Sequence, residues 1–412
     1  MSGCARSEQN KPKTFLSALE AVPLKSRASK SIMRAFRAVC LAAILVSTVL
    51  ASAQAPRPQL PKSFRFDFEN NIIFLKVGIN GQPPVWFILD TGASGNVLDS
   101  GLVQKMGLKT EGERQGTGAG KGTVQIKFAK NVVFDLPGLS TPSESVYVID
   151  LSGQPALMGR EVGGILGYDF FLPYVVEVDY PGELVTLYDP ATFKYSGGGE
   201  AVAFTLVKKT PHIPIKINIP GREAVERQVL IDSGSGDAVD DDVMAQSSNK
   251  LEVVGGVGLG QEFRTTVGRA ESVQIGRYTL KQPVGVSGGV ALIGNELLRR
   301  FHVIFDYSRQ KLYLEPNAHL EDQLLVNASG LDLRWSPDFK SFTVHDVALQ
   351  SPASEAGVKN GDLLVAIDGS PAAEFTMEQV GTLFTHAGKQ YRLSLMRGSQ
   401  PLEIVIKLRK RL

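Results

Sequence analysis

Two aspartates stand in closely similar surroundings in this sequence. Asp90 lies in the segment Phe-Ile-Leu-Asp-Thr-Gly, and Asp232 lies in the segment Val-Leu-Ile-Asp-Ser-Gly. If a fold brings the two carboxyl groups within about 3 Å, both cannot ionise, so they share one proton. The ionised group then acts as a general base on a bound water, and the protonated group hydrogen-bonds a carbonyl oxygen. Such a pair could hydrolyse an amide without a metal or a covalent intermediate.

The elements around the two aspartates occur twice in the same order. Each copy has an alternating strand, the Asp-Thr/Ser-Gly motif, a step of two apolar residues and a glycine, and a closing hairpin. The segments are short, rich in β-branched residues and separated by turn residues, which predicts β-rich lobes. Two such lobes facing each other about a pseudo-twofold axis would bring two carboxylates together. The landmarks are residues 73–77, 87–95, 165–167 and 176–188, and then 213–217, 228–236, 292–294 and 303–314.

These paired motifs resemble those of the pepsin-like and retroviral-like aspartic proteases, over roughly residues 64–316. Each half is short, closer to a retroviral protease subunit than to a pepsin lobe. The resemblance implies a mainly β fold with two pseudo-symmetric, acid-protease-like lobes, which we place at residues 62–198 and 199–318. It also implies that Asp90 and Asp232 are the catalytic pair.

The residues that follow each aspartate have expected supporting roles. By resemblance, the hydroxyl groups of Thr91 and Ser233 cross-link the two loops through hydrogen bonds to the opposite backbone. Gly92 and Gly234 allow the backbone to turn tightly beside the carboxyl group.

The next position differs between the copies, with Ala93 in the first and Ser235 in the second. In the family, a hydroxyl group here hydrogen-bonds the aspartate and favours its charged form. We therefore expect an unequal pair in which Asp232 is more readily ionised.

Both copies carry a glycine-rich stretch, at residues 116–122 and 255–260. The first is not a phosphate loop, because Gly122 stands where Ser or Thr is needed and the following sequence alternates like a strand. A hairpin that closes over the substrate fits better, with an ordinary exposed hairpin as the alternative. The flap candidates are Gly118, Gly120, Gly258 and Gly260.

No cofactor and no metal are expected from this sequence. A calcium site at an acidic cluster is conceivable, but carboxylates that cap a helix start explain the cluster better. The five histidines show no ligand spacing, so we interpret them as ordinary surface or core residues. The cluster is Asp237, Asp240, Asp241 and Asp242, and the histidines are His212, His302, His319, His345 and His386.

The segment from about residue 325 to 412 resembles a bacterial PDZ domain, on the sequence of residues 351–369. A PDZ-like α+β domain would bind an extended peptide by strand addition, often by holding its terminal carboxylate with backbone amides. We expect a peptide or protein C-terminus as its partner, and residues 377–384 as the helix beside the groove. A domain that only packs against the lobes is the alternative. The candidate peptide-binding residues, Gly330, Leu331, Asp332 and Leu333, depart from the usual loop sequence.

The beginning of the chain has the composition of an export signal. Residues 1–55 hold eight Lys/Arg and two Asp/Glu, and an uncharged run from Ala38 to Leu50 is followed by Ala-Ser-Ala. This run is shorter than the about 20 residues that span a bilayer, so a signal peptide at about residues 33–53 is favoured over an uncleaved anchor. Met33 is a possible true start. Both cysteines, Cys4 and Cys40, lie in this leader, so the remainder cannot form a disulfide.

Taken together, the sequence predicts an exported aspartic endopeptidase, periplasmic or extracellular, whose PDZ-like domain recruits polypeptide ends. The expected substrate is a polypeptide, and the mildly acidic remainder of the chain argues against a nucleic-acid partner. No stable membrane span is expected after signal cleavage. The alternatives are a catalytically inactive protease fold that binds peptides, and a regulated protease that cuts one envelope partner.

Overall fold

The computed structural model describes residues 59–116, 123–255 and 263–412. Nearly half of these residues lie in strands, and helices are few and short, so the mainly β fold class is confirmed. Among the described residues no helix is long and apolar enough to cross a membrane. The leader with its signal peptide lies outside the described residues.

The first lobe is built from eleven strands and three short helices of the described chain. The strand before Asp90 is covered on both faces, because Phe87, Ile88 and Leu89 are all buried, which explains its place inside the sheet. The strands are β1 Lys62–Arg65, β2 Asp67–Glu69, β3 Ile72–Ile79, β4 Val85–Leu89, β5 Val97–Asp99, β6 Thr110–Gly116, β7 Val124–Leu136, β8 Leu139–Ile149, β9 Gly164–Leu166, β10 Val175–Asp179 and β11 Leu184–Tyr188; the helices are α1 Ser100–Lys105, α2 Gln154–Met158 and α3 Tyr168–Phe171.

The second lobe repeats this arrangement. A 3-10 turn at Asp242–Gln246 stands where the first lobe has α1. The strands are β12 Glu200–Ala203, β13 Thr205–Val207, β14 Thr210–Asn218, β15 Val225–Asp232, β16 Val239–Asp240, β17 Lys250–Gly255, β18 Phe263–Arg269, β19 Ser272–Ile275, β20 Tyr278–Lys281, β21 Val284–Val286, β22 Leu292–Gly294, β23 Phe301–Asp306 and β24 Lys311–Pro316, and the helix is α4 Asn295–Leu298.

The two lobes have matching sheets with matching parallel pairs. In the first lobe the order is β2-β3-β4-β9-β5-β8-β7-β6, and β4 pairs in parallel with β9. In the second it is β17-β18-β21-β16-β22-β15-β14-β19-β20, and β15 pairs in parallel with β22. The strand that leads into each aspartate is therefore fixed beside its own apolar-apolar-Gly step.

A third sheet joins the lobes, in the order β1-β11-β10-β23-β24-β12. Its central pair is β10 of the first lobe and β23 of the second, which run antiparallel with Val176 opposite Phe305. Both side chains are fully buried. The hydrophobic core is continuous from one lobe through this sheet to the other, so the burial of these apolar side chains stabilises the association of the two lobes.

The C-terminal domain has its own core and its own sheet, in the order β25-β26-β27-β29-β30 with β28 paired to β27. The helix α6 begins at a capping box formed by Thr376 and Gln379. The strands are β25 Leu331–Trp335, β26 Phe342–Val347, β27 Leu363–Ile367, β28 Ser370–Pro371, β29 Gln390–Arg397 and β30 Gln400–Lys407, and the helices are α5 Pro352–Glu355 and α6 Met377–Leu383.

Candidate active site

Asp90 and Asp232 stand at equivalent places, each at the carboxyl end of a buried strand. The Asp90 N–H donates to the Leu166 carbonyl oxygen over 2.9 Å, which continues the β4–β9 pairing. Asp232 ends β15 opposite Gly294. Both side chains are partly accessible rather than fully buried. The apolar-apolar-Gly steps thus position the two aspartates by backbone pairing.

The residues after the aspartates lock the two loops to each other. The Thr91 hydroxyl donates to the Ile231 carbonyl oxygen over 2.7 Å and accepts from the Ser233 N–H over 2.9 Å. Reciprocally, the Ser233 hydroxyl donates to the Leu89 carbonyl oxygen over 2.8 Å and accepts from the Thr91 N–H over 3.0 Å. Both side chains are buried, so four hydrogen bonds shielded from water cross the lobe boundary.

Gly92 and Gly234 bring each loop against the opposite carboxyl group. A Cβ atom at Gly92 would lie 2.7 Å from Asp232 Cγ, and one at Gly234 would collide with Asp90 Cγ. Only glycine leaves room for both carboxyl groups to meet. In this space the two carboxyl groups are close enough to change each other's pKa.

Burial raises the pKa of both carboxyl groups. Close packing around Asp90 raises its pKa well above the usual range, and repulsion from Asp232 and the hydrogen bond to it raise the pKa further. Packing also raises the pKa of Asp232, but the hydrogen bond from Asp90 and the N–H groups of Gly234, Ser235 and Gly92 oppose the rise. Burial and the close approach of two carboxyl groups thus disfavour two negative charges, so the pair shares one proton.

The sequence predicts an unequal pair, because Ser235 has a hydroxyl group that Ala93 lacks. The Ser235 hydroxyl oxygen accepts a 3.2 Å hydrogen bond from the Asp237 N–H. Backbone N–H groups donate to the near oxygen of each aspartate, from Gly92 and Ala93 to Asp90 and from Gly234 to Asp232. The contribution of the Ser235 hydroxyl stays a prediction.

Comparison with known protein families agrees with this geometry. Residues 75–170 match the aspartyl protease family, and residues 321–408 match the PDZ domain family. The chain carries an aspartyl protease domain and a PDZ domain. The resemblance suggested by the sequence is thereby confirmed, although the protease match ends before the second lobe. No curated protein matches the chain.

A polar network behind the second aspartate of the protease domain was not predicted. Asn295, directly after Gly294, donates to the carbonyl oxygens of Ser233 and Asn71, each over 2.7 Å. The Tyr180 hydroxyl donates to Asn295 Oδ1 over 2.7 Å. The position of Asn295 after the apolar-apolar-Gly step is the one signal in the sequence that could have indicated it.

The same network continues to the surface through the Asn71 side chain. Asn71 Nδ2 donates to Glu296 Oε2 over 2.9 Å and to the Gly236 carbonyl oxygen over 3.2 Å. Arg299 then donates to Glu296 Oε1 over 2.6 Å. The loop that carries Asp232 is therefore held from behind by residues of both lobes.

Two carboxylates of the acidic cluster accept hydrogen bonds from nearby backbone N–H groups. Asp241 caps the 3-10 turn by accepting from the Val243 N–H over 2.8 Å, and Asp242 accepts from the Gly288 N–H. Burial, with repulsion from Asp237, raises the pKa of Asp240 to about 7. Among the described residues no group of side chains has the arrangement of a metal site.

Two further sets of predicted residues have different outcomes. The flap candidates Gly118, Gly120, Gly258 and Gly260 lie outside the described residues, although the strands on both sides of each stretch pair as hairpins. The interpretation of all histidines as ordinary was incomplete, because His302 on β23 hydrogen-bonds Glu177 on β10 across the lobe boundary.

The candidate peptide-binding residues of the PDZ domain lie on the edge strand β25 and the turn before it. Gly330 has a positive φ of 84°, and Leu331 begins the strand. The strand faces α6 across a groove, which is the arrangement that peptide-binding domains of this kind use.

Proposed function

We propose that this chain is an aspartic endopeptidase that hydrolyses peptide bonds with a water activated between Asp90 and Asp232. The observation that carries the proposal is the pair of neighbouring carboxyl groups, each with a raised pKa, at the ends of two cross-linked loops that approach each other closely. Neighbouring carboxyl groups that share one proton are suited to simultaneous acid and base catalysis. The aspartyl protease family match supports the same reaction class.

The expectation from the sequence that Asp232 is the more readily ionised aspartate assigns the roles within this proposal. Ionised Asp232 takes a proton from a water that lies between the two carboxyl groups, and the water oxygen attacks the peptide carbonyl carbon. Protonated Asp90 hydrogen-bonds the carbonyl oxygen as negative charge develops on it. Collapse of the tetrahedral intermediate breaks the C–N bond, and a proton is delivered to the leaving nitrogen. The macroscopic pKa values that govern the rate belong to the pair.

The PDZ domain would supply the substrate, as an extended polypeptide that adds a strand beside β25. Export to the periplasm or the cell exterior is part of the same proposal, and its support is the charged, apolar and small-residue pattern of residues 34–53. Sequencing the amino terminus of the protein recovered from its cells tests export, and a terminus near Gln54 is the expected result.

The catalytic proposal is tested with unfolded protein substrates between pH 3 and pH 7. Asp90→Asn and Asp232→Asn should each abolish hydrolysis, and pepstatin should inhibit the wild type. Asp150→Asn is the matched control, since Asp150 is exposed and accepts only a local hydrogen bond from Ser152. Wild-type activity no greater than that of both active-site variants at every pH would favour the inactive, peptide-binding alternative.

A further inference from the structure

In the first lobe, three apolar side chains form a row across the strands that surround Asp90. Ile88 on β4 lies beside Ile165 on β9, and Ile165 is opposite Val97 on β5. Side chains two residues apart in a strand point to the same face, so this row lies on the face that carries Asp90. The row belongs to an apolar cluster, separate from the main core, against which Ala93 packs. The wall beside Asp90 is therefore apolar.

The equivalent row of the second lobe contains an acidic residue. Leu230 on β15 lies beside Leu292 on β22, and Leu292 is opposite Asp240 on β16. By this register, Asp240 has the position that Val97 has in the first lobe. Leu230 stands two residues before Asp232, so this row lies on the face that carries Asp232.

Two further positions on these faces differ in the same sense. Phe74 on β3 is opposite the row residue of β4, and His212 on β14 is opposite the row residue of β15. The residue after each motif glycine is Ala93 in the first lobe and Ser235 in the second. The two lobes therefore share one backbone arrangement but differ in the polarity of the face beside the catalytic pair.

Asp240 is buried without a cationic partner. It is only 9% exposed, and within the described chain its one hydrogen bond comes from the Gly289 N–H, which donates to Oδ1 over 3.3 Å. No described residue donates to Oδ2, whereas the neighbouring Asp241 is paired with Arg227 over 3.2 Å. Burial of an ionised carboxylate is unfavourable unless a partner compensates its charge. A cation brought by a ligand would supply that compensation.

Asp237 connects Asp240 with the catalytic pair. Protein atoms packed around Asp237, with repulsion from Asp232, raise the pKa of Asp237 to about 6, although the residue itself is exposed. Burial, with repulsion from Asp237, raises the pKa of Asp240 to about 7. Because repulsion of this size requires short distances, the three carboxyl groups form a continuous acidic wall on the side of the second lobe.

Asp240 lies at a distance from the catalytic pair that an extended substrate covers. Two strand spacings of about 4.8 Å separate β16 from β15, and two residues of about 3.3 Å separate the row from Asp232. These spacings give about 12 Å between the backbones at Asp240 and Asp232, which an extended chain spans in about four residues. A side chain that reaches Asp240 therefore belongs to a residue close to the scissile bond.

We propose that Asp240 forms a subsite for a lysine or arginine side chain of the substrate, and that the equivalent row of the first lobe accepts an apolar side chain. The inference rests on the proposed protease function and defines its substrate class, which is polypeptides with a basic residue on one side of the scissile bond and an apolar residue on the other. Because the two rows are related by the pseudo-twofold axis, the two selected residues are equally far from the scissile bond. Hydrogen bonds to charged groups are the stronger ones, so we expect a preference of about tenfold for the basic residue.

Three variants test the role of Asp240. Asp240→Val introduces the residue that stands at the equivalent position of the first lobe, Val97. Asp240→Asn removes the charge and keeps an acceptor for the Gly289 N–H, so it serves if the valine variant does not fold. Asp242→Asn is the matched control, because it makes the same charge change at an exposed residue that accepts from the Gly288 N–H over 3.1 Å.

Cleavage is measured on a library of random octapeptides capped at both ends, with the products identified by mass spectrometry. The wild type and Asp242→Asn should cut at sequences enriched about tenfold in lysine or arginine at one position, with apolar residues at the symmetric position. Asp240→Asn should reduce this enrichment to about one. Asp240→Val should replace it with a preference for apolar residues.

A binding measurement separates the subsite from catalysis. Octapeptides whose central amide is reduced to a methylene-amine cannot be hydrolysed, and one set has lysine at each position in turn while a second set has norleucine. Calorimetry with the full chain should give one position at which lysine binds about tenfold more tightly than norleucine. Asp240→Asn should abolish this difference, and Asp242→Asn should keep it.

The other outcomes overturn the proposal or separate it from the protease function. A basic preference that persists in both Asp240 variants would place the subsite elsewhere, and an equal loss in Asp242→Asn would indicate a long-range field rather than a subsite. Absence of any preference for lysine in the wild type would also refute the inference. If Asp90→Asn cuts as fast as the wild type while calorimetry still shows the Asp240-dependent preference, the proposed catalytic mechanism fails and the binding subsite stands.

Discussion

Replacing Thr91 by valine should remove two of the four hydrogen bonds that join the aspartate loops, without changing the shape of the buried side chain. Valine lacks the hydroxyl group, so the Ile231 carbonyl oxygen loses its donor and the Ser233 N–H loses its acceptor. Thr91 is completely buried, and water cannot replace either partner. Each buried polar group left unpaired costs about 1–3 kcal/mol, so the free energy of unfolding should fall by about 2–6 kcal/mol.

The two tryptophans of the chain allow this loss to be measured in the correct domain. Trp86 lies on β4, which leads into Asp90, and Trp335 lies in the PDZ domain. In a Trp335→Phe background, urea unfolding followed by Trp86 fluorescence reports on the lobes. Thr279→Val is the matched control, because Thr279 is exposed on β20 and its replacement should change stability by no more than about 0.5 kcal/mol. Equal effects of the two substitutions would refute the argument.

Two more predictions concern the pair and the lobe boundary. Gly234→Ala puts a methyl group against the Asp90 carboxyl group, so kcat should fall at least about 100-fold. Gly153→Ala is the control and should leave kcat unchanged, because a Cβ atom at Gly153 would meet no other atom within 4 Å. His302→Gln should cost about 1–2 kcal/mol of stability at pH 5.5 and less at pH 9. Its hydrogen bond to Glu177 raises the pKa of His302, so this stabilisation is complete below about pH 6.5 and is lost as the pH rises through the folded-state value. An equal cost at both pH values in urea titrations contradicts the ion-pair explanation.

The strands and the two aspartate loops could be predicted because their signals are local. Alternating β-branched residues predicted the hairpin of residues 176–188, and the structure has β10 and β11 at Val175–Asp179 and Leu184–Tyr188. The helix expected at residues 377–384 begins at Met377 and ends at Leu383. Repetition then indicated which loops face each other, since a duplicated lobe with one carboxylate needs its copy to make a pair.

The polar contacts behind the pair could not be predicted, because they join residues far apart in sequence. Asn71 and Gly236 are 165 residues apart, and Glu177 and His302 are 125 apart. Only the register of β10 against β23 places Glu177 near His302, and no periodicity along the chain contains that register. In the PDZ domain, the Asn327 side chain accepts from the Ser329 and Gly330 N–H groups, and this contact could not be predicted because Asn327 lies outside the residues that indicated the domain.

The two copies have diverged in the residues behind the aspartates. Tyr180 and Tyr307 directly follow the first strands of equivalent hairpins. The Tyr180 hydroxyl donates to Asn295, whereas the Tyr307 hydroxyl has no hydrogen-bond partner in the described part of the chain. The ring of Tyr307 instead packs edge-on against Tyr168, which follows the first apolar-apolar-Gly step as Asn295 follows the second. Among the described residues, the Tyr–Asn hydrogen bond behind Asp232 thus has no counterpart behind Asp90, where the buried Asn96 Oδ1 instead accepts from the Gly167 N–H over 2.9 Å. The duplicated fold therefore supplies two similar carboxyl groups with different polar contacts behind them, and the unequal ionisation that Ala93 and Ser235 predict is a separate property that the pH–rate profile of Ser235→Ala tests.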